Sequence, residues 1–415
     1  MIANKTVTLS PFPQGMNNIQ KESKLPEGSL RSAINVDITD DGSIRRRKQF
    51  SRIYTGTSIA NLYKRYFTEG GVLKYLESDN TATVVNSNII SSDIAYCEMN
   101  NGIYYTDGNK VFNPNHEPVG LEKPTFFNVS DTTGALRNGK YQISICHINL
   151  VTGELSGATN PIILDVVSGG ISLTDISIPS GEYATNVYIS DTNGADIYFH
   201  TTLPNGQQSL TITVIKQNKH LVQTLDMSPI PGGSIIQSYN GRLYVAKDEV
   251  LWYSQPHRYG LHKQSSDFLL FAKPITVVQP VDDGLYIVAD KTYFISGNDP
   301  SQQQLREVSN LQGIEGTGIT LDASYFSLEY KGKVAYWFSD KGGVIGLPSG
   351  QIQEFSKDRL AVPTDLQKGS TMYVEENGIH KIVSSIGTSG SGLNNSIGAS
   401  DNATATLIRN GNVVL

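Results

Sequence analysis

The chain has 415 residues, among them 39 glycines, 17 prolines and 21 tyrosines, and a formal net charge of −6. That charge argues against a protein that holds nucleic acid by neutralising phosphates with lysine and arginine. Two cysteines, Cys97 and Cys146, are too few for a disulfide framework and read as small buried apolar side chains in a reducing compartment. No apolar run reaches bilayer length, and the N-terminus lacks the charged-then-apolar pattern of a secretion signal, so neither a membrane span nor export is expected. Amphipathic helical segments longer than about three turns are absent, which points to an all-β chain.

Residues 1–28 are polar and turn-rich, too poor in apolar side chains for a core of their own, and read as an extended arm lying on something else. Within it, Met16, Asn17 and Asn18 are candidate assembly contacts. Ala33 to Ile38 reads as a strand that Asp40-Asp41-Gly42-Ser43 turns into Ile44 and the cluster Arg45-Arg46-Arg47-Lys48. Alternate strand residues point to opposite faces, so the four cations divide between two faces. The cluster reads as a solvated, edge-protecting strand, as a contact for an acidic protein neighbour, or as a grip on DNA, which the overall charge opposes.

From residue 71 a phrase recurs: glycine, a few residues, a tyrosine, a polar turn, a second apolar run. Its instances centre on Tyr75, Tyr105, Tyr244, Tyr286, Tyr336 and Tyr373. Their midpoints are Ser78-Asp79-Asn80, Asp107-Gly108, Lys247-Asp248-Glu249, Asp290-Lys291, Asp340-Lys341-Gly342 and Glu376-Asn377-Gly378, residues that tolerate positive φ or cap tight turns. The flanks alternate apolar and polar, the pattern of a half-buried hairpin. The last four tyrosines lie 42, 50 and 37 residues apart, the period of a four-stranded propeller blade. A lone hairpin cannot bury its apolar face, whereas copies stacked radially can. The predicted fold is a β-propeller of six blades, with seven as the alternative.

Tyr105 and Tyr244 are 139 residues apart, so something else interrupts the repeat. Between Leu121 and Thr224, short alternating runs such as Gly139 to Ile145, Ile171 to Thr174, Asn186 to Ser190 and Asp196 to His200 are separated by turn signals, as in a small β-sandwich. Pro118 and Pro124 bracket its entry; Pro229, Pro231 and Gly232-Gly233 mark its exit. The expected division is an arm (1–28), a first part of the propeller (29–120), an inserted sandwich (121–228) and a second part of the propeller (229–415). Gly387 to Gly392 and Asn394-Asn395-Ser396 read as a flexible stretch. Ala403 to Ile408 and Asn410 to Leu415 then read as a final hairpin, whose terminal strand, with Ala33 to Ile38, is the candidate for closing the ring.

No catalytic constellation emerges. The seven histidines show no i, i+4 pair around a glutamate, and the cysteines lack zinc-finger spacing. His257 and His262 flank Arg258-Tyr259 in a polar loop after Trp252, where an ordinary loop histidine is the reading preferred over a metal or sugar role. The carboxylate pairs Asp40-Asp41, Asp282-Asp283 and Glu375-Glu376 adjoin glycine-bearing turns, where turn chemistry explains them. Ser190-Asp191-Thr192-Asn193-Gly194 carries Thr192 where the sialidase box needs aspartate, and no phosphate-binding glycine loop precedes a helix. The chain reads as a non-enzyme with no cofactor and no metal.

Two stretches resemble known families. "GKYQISICHINLVTGELSG" with "TNVYISDTNGADIYFH" resembles the fibronectin type III-like modules of phage structural proteins. "GMNN…LPEGSLRSAINVDITDDGSIRRR" and Leu251 to Gly297 resemble the propeller proteins that complete the tails of tailed phages, called nozzle, hub, tail tubular or DNA-stabilisation proteins. The resemblance implies a virion protein, made in the bacterial host cytoplasm, that forms a ring, usually sixfold in that group, in the tail nozzle, hub or head-to-tail connector. Its partners would be its own copies, an adaptor and tail fibres or spikes, with DNA passing through transiently. Met16, Asn17, Asn18, Arg45, Arg46, Arg47 and Lys48 would then serve assembly. The alternative is a receptor- or glycan-binding propeller of the tail tip, for which Trp252, Tyr253 and Tyr259 are the candidate exposed aromatics; a polysaccharide-cleaving enzyme lacks the carboxylate constellation it needs.

Overall fold

Six antiparallel sheets follow one another along the chain and pack face to face as a β-propeller, interrupted by a two-sheet β-sandwich. The structure, a computed structural model, describes residues 11–33, 36–39, 41–46, 52–91, 93–177, 181–216, 220–297, 300–326, 330–356, 359–363, 366–376, 379–388, 404–409 and 412–414. Among these residues the only helical elements are short 3-10 turns.

The first blade comprises Ala60–Tyr63, Tyr66–Glu69, Val72–Leu76 and Ala82–Asn86. The second has three strands, Ala95–Met99, Gly102–Thr106 and Val111–Phe112. The third is built from Ile235–Tyr239, Arg242–Lys247, Val250–Tyr253 and Phe268–Leu270. Val277–Val281, Gly284–Val288, Thr292–Ser296 and Gln304–Ser309 form the fourth. Ile319–Asp322, Lys333–Ser339, Gly342–Gly346 and Ile352–Glu354 form the fifth. The sixth consists of Leu366–Glu376, Ile379–Thr388, Thr404–Arg409 and Asn412–Val414. All six sequence hairpins are therefore paired strands of one sheet.

Strand periodicity explains how one blade serves two neighbours. In Arg242–Lys247, Leu243 and Val245 pack toward Cys97, Met99 and Val111 of the second blade, while Tyr244 and Ala246 join Val278, Leu285 and Ile287 of the fourth. Further clusters join the first blade to the second through Leu73, Tyr105 and Phe112, and the fourth to the fifth through Tyr286, Phe294 and Trp337. Tyr336, Ile345 and Ile382 join the fifth to the sixth. Because both faces are covered, Gly284–Val288 and Gly342–Gly346 are buried at every position. The expected half-buried alternation does not hold in these middle strands, which behave as strands packed on both sides.

Four repeat tyrosines, Tyr105, Tyr244, Tyr286 and Tyr336, sit on the second strand of their blades and are almost wholly buried. Tyr75 lies instead on the third strand of its blade and Tyr373 on the first, and both are only half-buried. The repeat is in register across the middle of the propeller and slips at its ends.

The sandwich packs Asn128–Thr133, Gly169–Thr174 and Leu210–Ile212 against the sheet ordered Ile162–Val166, Gly139–Asn149, Tyr183–Ser190, Ile197–Leu203. Tyr141, Ile143, Ile145, Ile171, Leu173, Val187 and Ile189 fill the space between them. The outer face of the larger sheet is covered too, since Cys146 and Tyr188 pack with Leu155, Ala158, Val222 and Leu225. The exit does not stop at residue 228: Met227–Pro229 pairs with Leu261–Lys263, a loop of the third blade. Across the insertion the propeller is continuous, with the Gly232 N–H donating to Asn109 O at 3.0 Å and the Thr106 hydroxyl to Gly233 O at 3.2 Å. Entry and exit cross closely at Gly120, where φ is +80° and a Cβ would stand 2.3 Å from Gly260 O.

Ring closure departs from expectation. Val36–Ile38 pairs with Ile44–Arg46 and Asn412–Val414 with Thr404–Arg409, so the two termini complete separate sheets. The N-terminal hairpin is joined to the sixth blade by Ile38 against Val383 and by Lys381 Nζ at 3.3 Å from Asp37 Oδ2. Of the run Gly387 to Gly392 with Asn394-Asn395-Ser396, read as flexible, Gly387 and Thr388 belong instead to the strand Ile379–Thr388, and the rest lies outside the described residues.

Candidate functional surfaces

Residues 1–10 of the arm lie outside the described residues; residues 11–28 dock on their own chain. Gly15–Met16 pairs in parallel with Ser29–Leu30, and Met16 packs against Ile314, Phe338, Leu360 and Ile386. Asn17 is buried, and its side-chain oxygen accepts the N–H groups of Ile19 and Gln20 at 3.2 and 3.1 Å. Asn18 clamps the segment after the fifth blade: its N–H donates to Arg359 O at 3.0 Å, and its side-chain oxygen accepts the Ala361 N–H at 2.7 Å. Arg359 donates to Gln14 O at 2.9 Å. Met16, Asn17 and Asn18, read from the sequence as assembly contacts, thus all engage their own chain. The arm is too polar to build a core, yet one methionine and two backbone-capping asparagines suffice to seat it on an existing one.

Arg45 and Arg46 are exposed; Arg47 and Lys48 lie outside the described residues. Arg45 stands opposite Asp37 and Arg46 opposite Val36. Directly opposed residues share a face, so Arg45 stands on the face of Asp37, whose carboxylate lies 3.3 Å from Lys381 Nζ of the sixth blade.

Titratable groups elsewhere serve the fold. His147, His200 and His262 are buried, and burial pushes all three imidazoles down, His147 to about 4. His262 lies under Trp252 with Nδ1 3.0 Å from Ser228 O, and His257 is separate from it, against Tyr259. Burial pushes the thiols up, Cys97 to about 12 and Cys146 to about 11, so both are neutral and unreactive at pH 7. Asp282 accepts the Tyr330 hydroxyl at 2.7 Å and the Lys333 N–H at 3.0 Å; Asp283 accepts the Ser349 N–H at 2.8 Å. These are blade-to-blade fastenings. Asp41 caps its turn, its carboxyl drawn down to about 2 by the Thr39 and Ser43 side chains; Asp40 is outside the described residues. Among the described residues no group of three or more His, Cys, Asp or Glu side chains is placed to hold a metal, and no helix is long and apolar enough to cross a membrane.

The aromatic cluster expected for a receptor face is consumed by packing. Tyr253 is buried, Trp252 packs on His262 and Phe268, and Tyr259 sits edge-on to Tyr104. Exposed apolar side chains occur instead on outermost blade strands, at Phe268 and Leu270 of the third blade and Leu305 of the fourth.

One cleft opens between the first and second blades, about 290 Å³ in volume, with Phe112 and Pro118 on its wall and Asn88, Lys110 and His116 around it. Sequence reading passed over it, because its residues come from turns and linkers with no shared motif. The only signal was His116 beside the turn formers Asn113 and Asn115.

No protein-family model and no curated protein matches the chain. Among solved structures it is similar to BBS1N in complex with ARL6DN, in a lead-soaked crystal, at 9% identity and TM-score 0.28 over 76% of this chain and 84% of that one. The mercury-soaked crystal of the same complex gives 10% identity and TM-score 0.26 over 80% and 88%. Likeness at that level carries no functional argument. The class rests on the sheets themselves: an all-β propeller with an inserted sandwich.

Proposed function

We propose that the chain is a virion structural protein of a tailed phage, forming a ring in the tail nozzle, hub or head-to-tail connector that continues the DNA channel. The observation that carries this reading is the sequence resemblance of residues 15–47 and Leu251 to Gly297 to that group, on a fold whose buried histidines and whose Asp282 and Asp283 serve internal packing. With Met16, Asn17 and Asn18 occupied within the chain, copies would meet through Arg45 and Arg46 and through the outer strands that expose Phe268, Leu270 and Leu305. A transit channel must let a polyanion slide, so deep attractive wells along its wall would slow ejection, and a chain of net charge −6 avoids them. Gel retardation of duplex DNA tests the channel role. Full-length protein should leave DNA unshifted at about 150 mM salt, whereas tight retardation there would demand many phosphate contacts and contradict the reading.

A further inference from the structure

We propose that the cleft between the first and second blades is a binding site for a single neutral sugar ring of hexose size. The site is independent of the ring-forming role and does not require it. Its volume, about 290 Å³, lies at the small end of ligand pockets, room for one such ring and little more.

The lining is amphipathic in the way a sugar is. Phe112, stacked on Tyr105 at 4.9 Å and almost wholly buried, forms the rigid floor, and Pro118 and the exposed Ile90 supply the accessible apolar surface. The axial C–H face of a pyranose is apolar and packs on such surface. Three polar groups have unused capacity for its hydroxyls. The Asn88 carboxamide and the Lys110 ammonium are exposed and take no hydrogen bond or ion pair among the described residues. His116 Nδ1 is buried and without a partner. The loop that presents His116 is constructed rather than loose: Phe112 bridges to Pro118, the Asn113 side-chain oxygen accepts the N–H groups of Asn115 and Glu117, and His116 itself adopts φ 65°. Burial pushes the imidazole down, so it is neutral at pH 7 and offers either a donor or an acceptor.

Charge argues for a neutral ligand. Asp107 also lines the cleft, but its carboxylate is spent: one oxygen accepts the Asn109 and Lys110 N–H groups at 3.0 and 2.8 Å, the other the Ile90 N–H at 2.9 Å. Its negative charge offsets the single positive charge of Lys110, leaving neither an anion site nor a cation site.

Saturation-transfer NMR on the full-length protein, with the methyl glycosides of glucose, galactose, mannose and N-acetylglucosamine at millimolar concentration and adenine as a non-sugar comparison, tests the inference. At least one glycoside should receive saturation at its ring protons. Asn88→Ala and Lys110→Ala should each weaken its affinity about fivefold, the loss of one hydrogen bond. His116→Asn, which keeps a residue tolerant of positive φ, should do the same. Asn88→Ala and Lys110→Ala alter only exposed side chains, so they report on the site even if His116→Asn is unstable. Saturation of no glycoside, preference for adenine, or binding indifferent to Asn88→Ala and Lys110→Ala would overturn the proposal.

Discussion

Tyr286→Ala should destabilise the propeller by about 3–5 kcal/mol, the cost of truncating a large core side chain. The ring is fully buried between the fourth and fifth blades, 4.9 Å from Phe294 and 5.5 Å from Trp337 between centroids. Its hydroxyl reaches the Leu347 and Gln351 carbonyls of the fifth blade, the latter at 2.8 Å. Tyr286→Phe keeps the ring but takes the donor from the Leu347 carbonyl, while the Gln351 carbonyl still accepts the Leu347 N–H, so about 1–3 kcal/mol should separate it from the native chain. The partner across the interface is Gly346, where a Cβ would stand 2.5–2.8 Å from three carbons of the tyrosine ring. Gly346→Ala is therefore strongly destabilising alone. Combined with Tyr286→Ala, the added methyl occupies space the ring has vacated. The double-mutant cycle should show a favourable coupling of more than about 1 kcal/mol. Urea unfolding followed by tryptophan fluorescence, with Trp337 inside the perturbed cluster, measures all four proteins. A Tyr286→Ala cost below about 1 kcal/mol, or an additive cycle, would refute the blade-to-blade packing described.

Other outcomes follow from the same geometry. Replacing residues 121–226 by a short Gly-Ser linker, retaining the paired strand Met227–Pro229, should leave a soluble β-rich propeller by circular dichroism; recovery only as aggregate would contradict continuity of the second and third blades. Asn18→Ala removes the acceptor of the Ala361 N–H and should cost about 1 kcal/mol and raise proteolysis near residue 20; unchanged cleavage would mean the arm is not held there. Stability should fall on acidification. His147, His200 and His262 have folded pKa values below the unfolded value of about 6.5, so the unfolded state binds more protons as pH drops through that value. His147 alone should account for about 3 kcal/mol by pH 4, and a urea midpoint constant from pH 7 to pH 5 would contradict this.

The hairpins were legible because their turns rely on local chemistry. Asn80 and Asp248 adopt φ of 66° and 52°, and Gly108 and Gly342 lie at 86° and 111°, conformations that such residues reach at low cost. The first two strands of the first blade were missed for the converse reason. Asn61 and Lys64 take φ of 51° and 54° within Ala60–Tyr63 and its turn, and the pairing slips register there, with no glycine or Asp-Gly step to announce it. The arm's destination was illegible for another reason. Asn18 meets Ala361 across 343 residues, and no local pattern encodes which distant surface a polar segment will meet. The cleft is likewise assembled by packing, from a turn of the second blade and two linkers.

Negative-stain microscopy of the purified full-length chain tests the central functional claim most directly. Closed, ring-shaped particles with a central pore, most often sixfold in class averages, are the expected result. Single propellers with an attached sandwich at every protein concentration, and no rings, would contradict it.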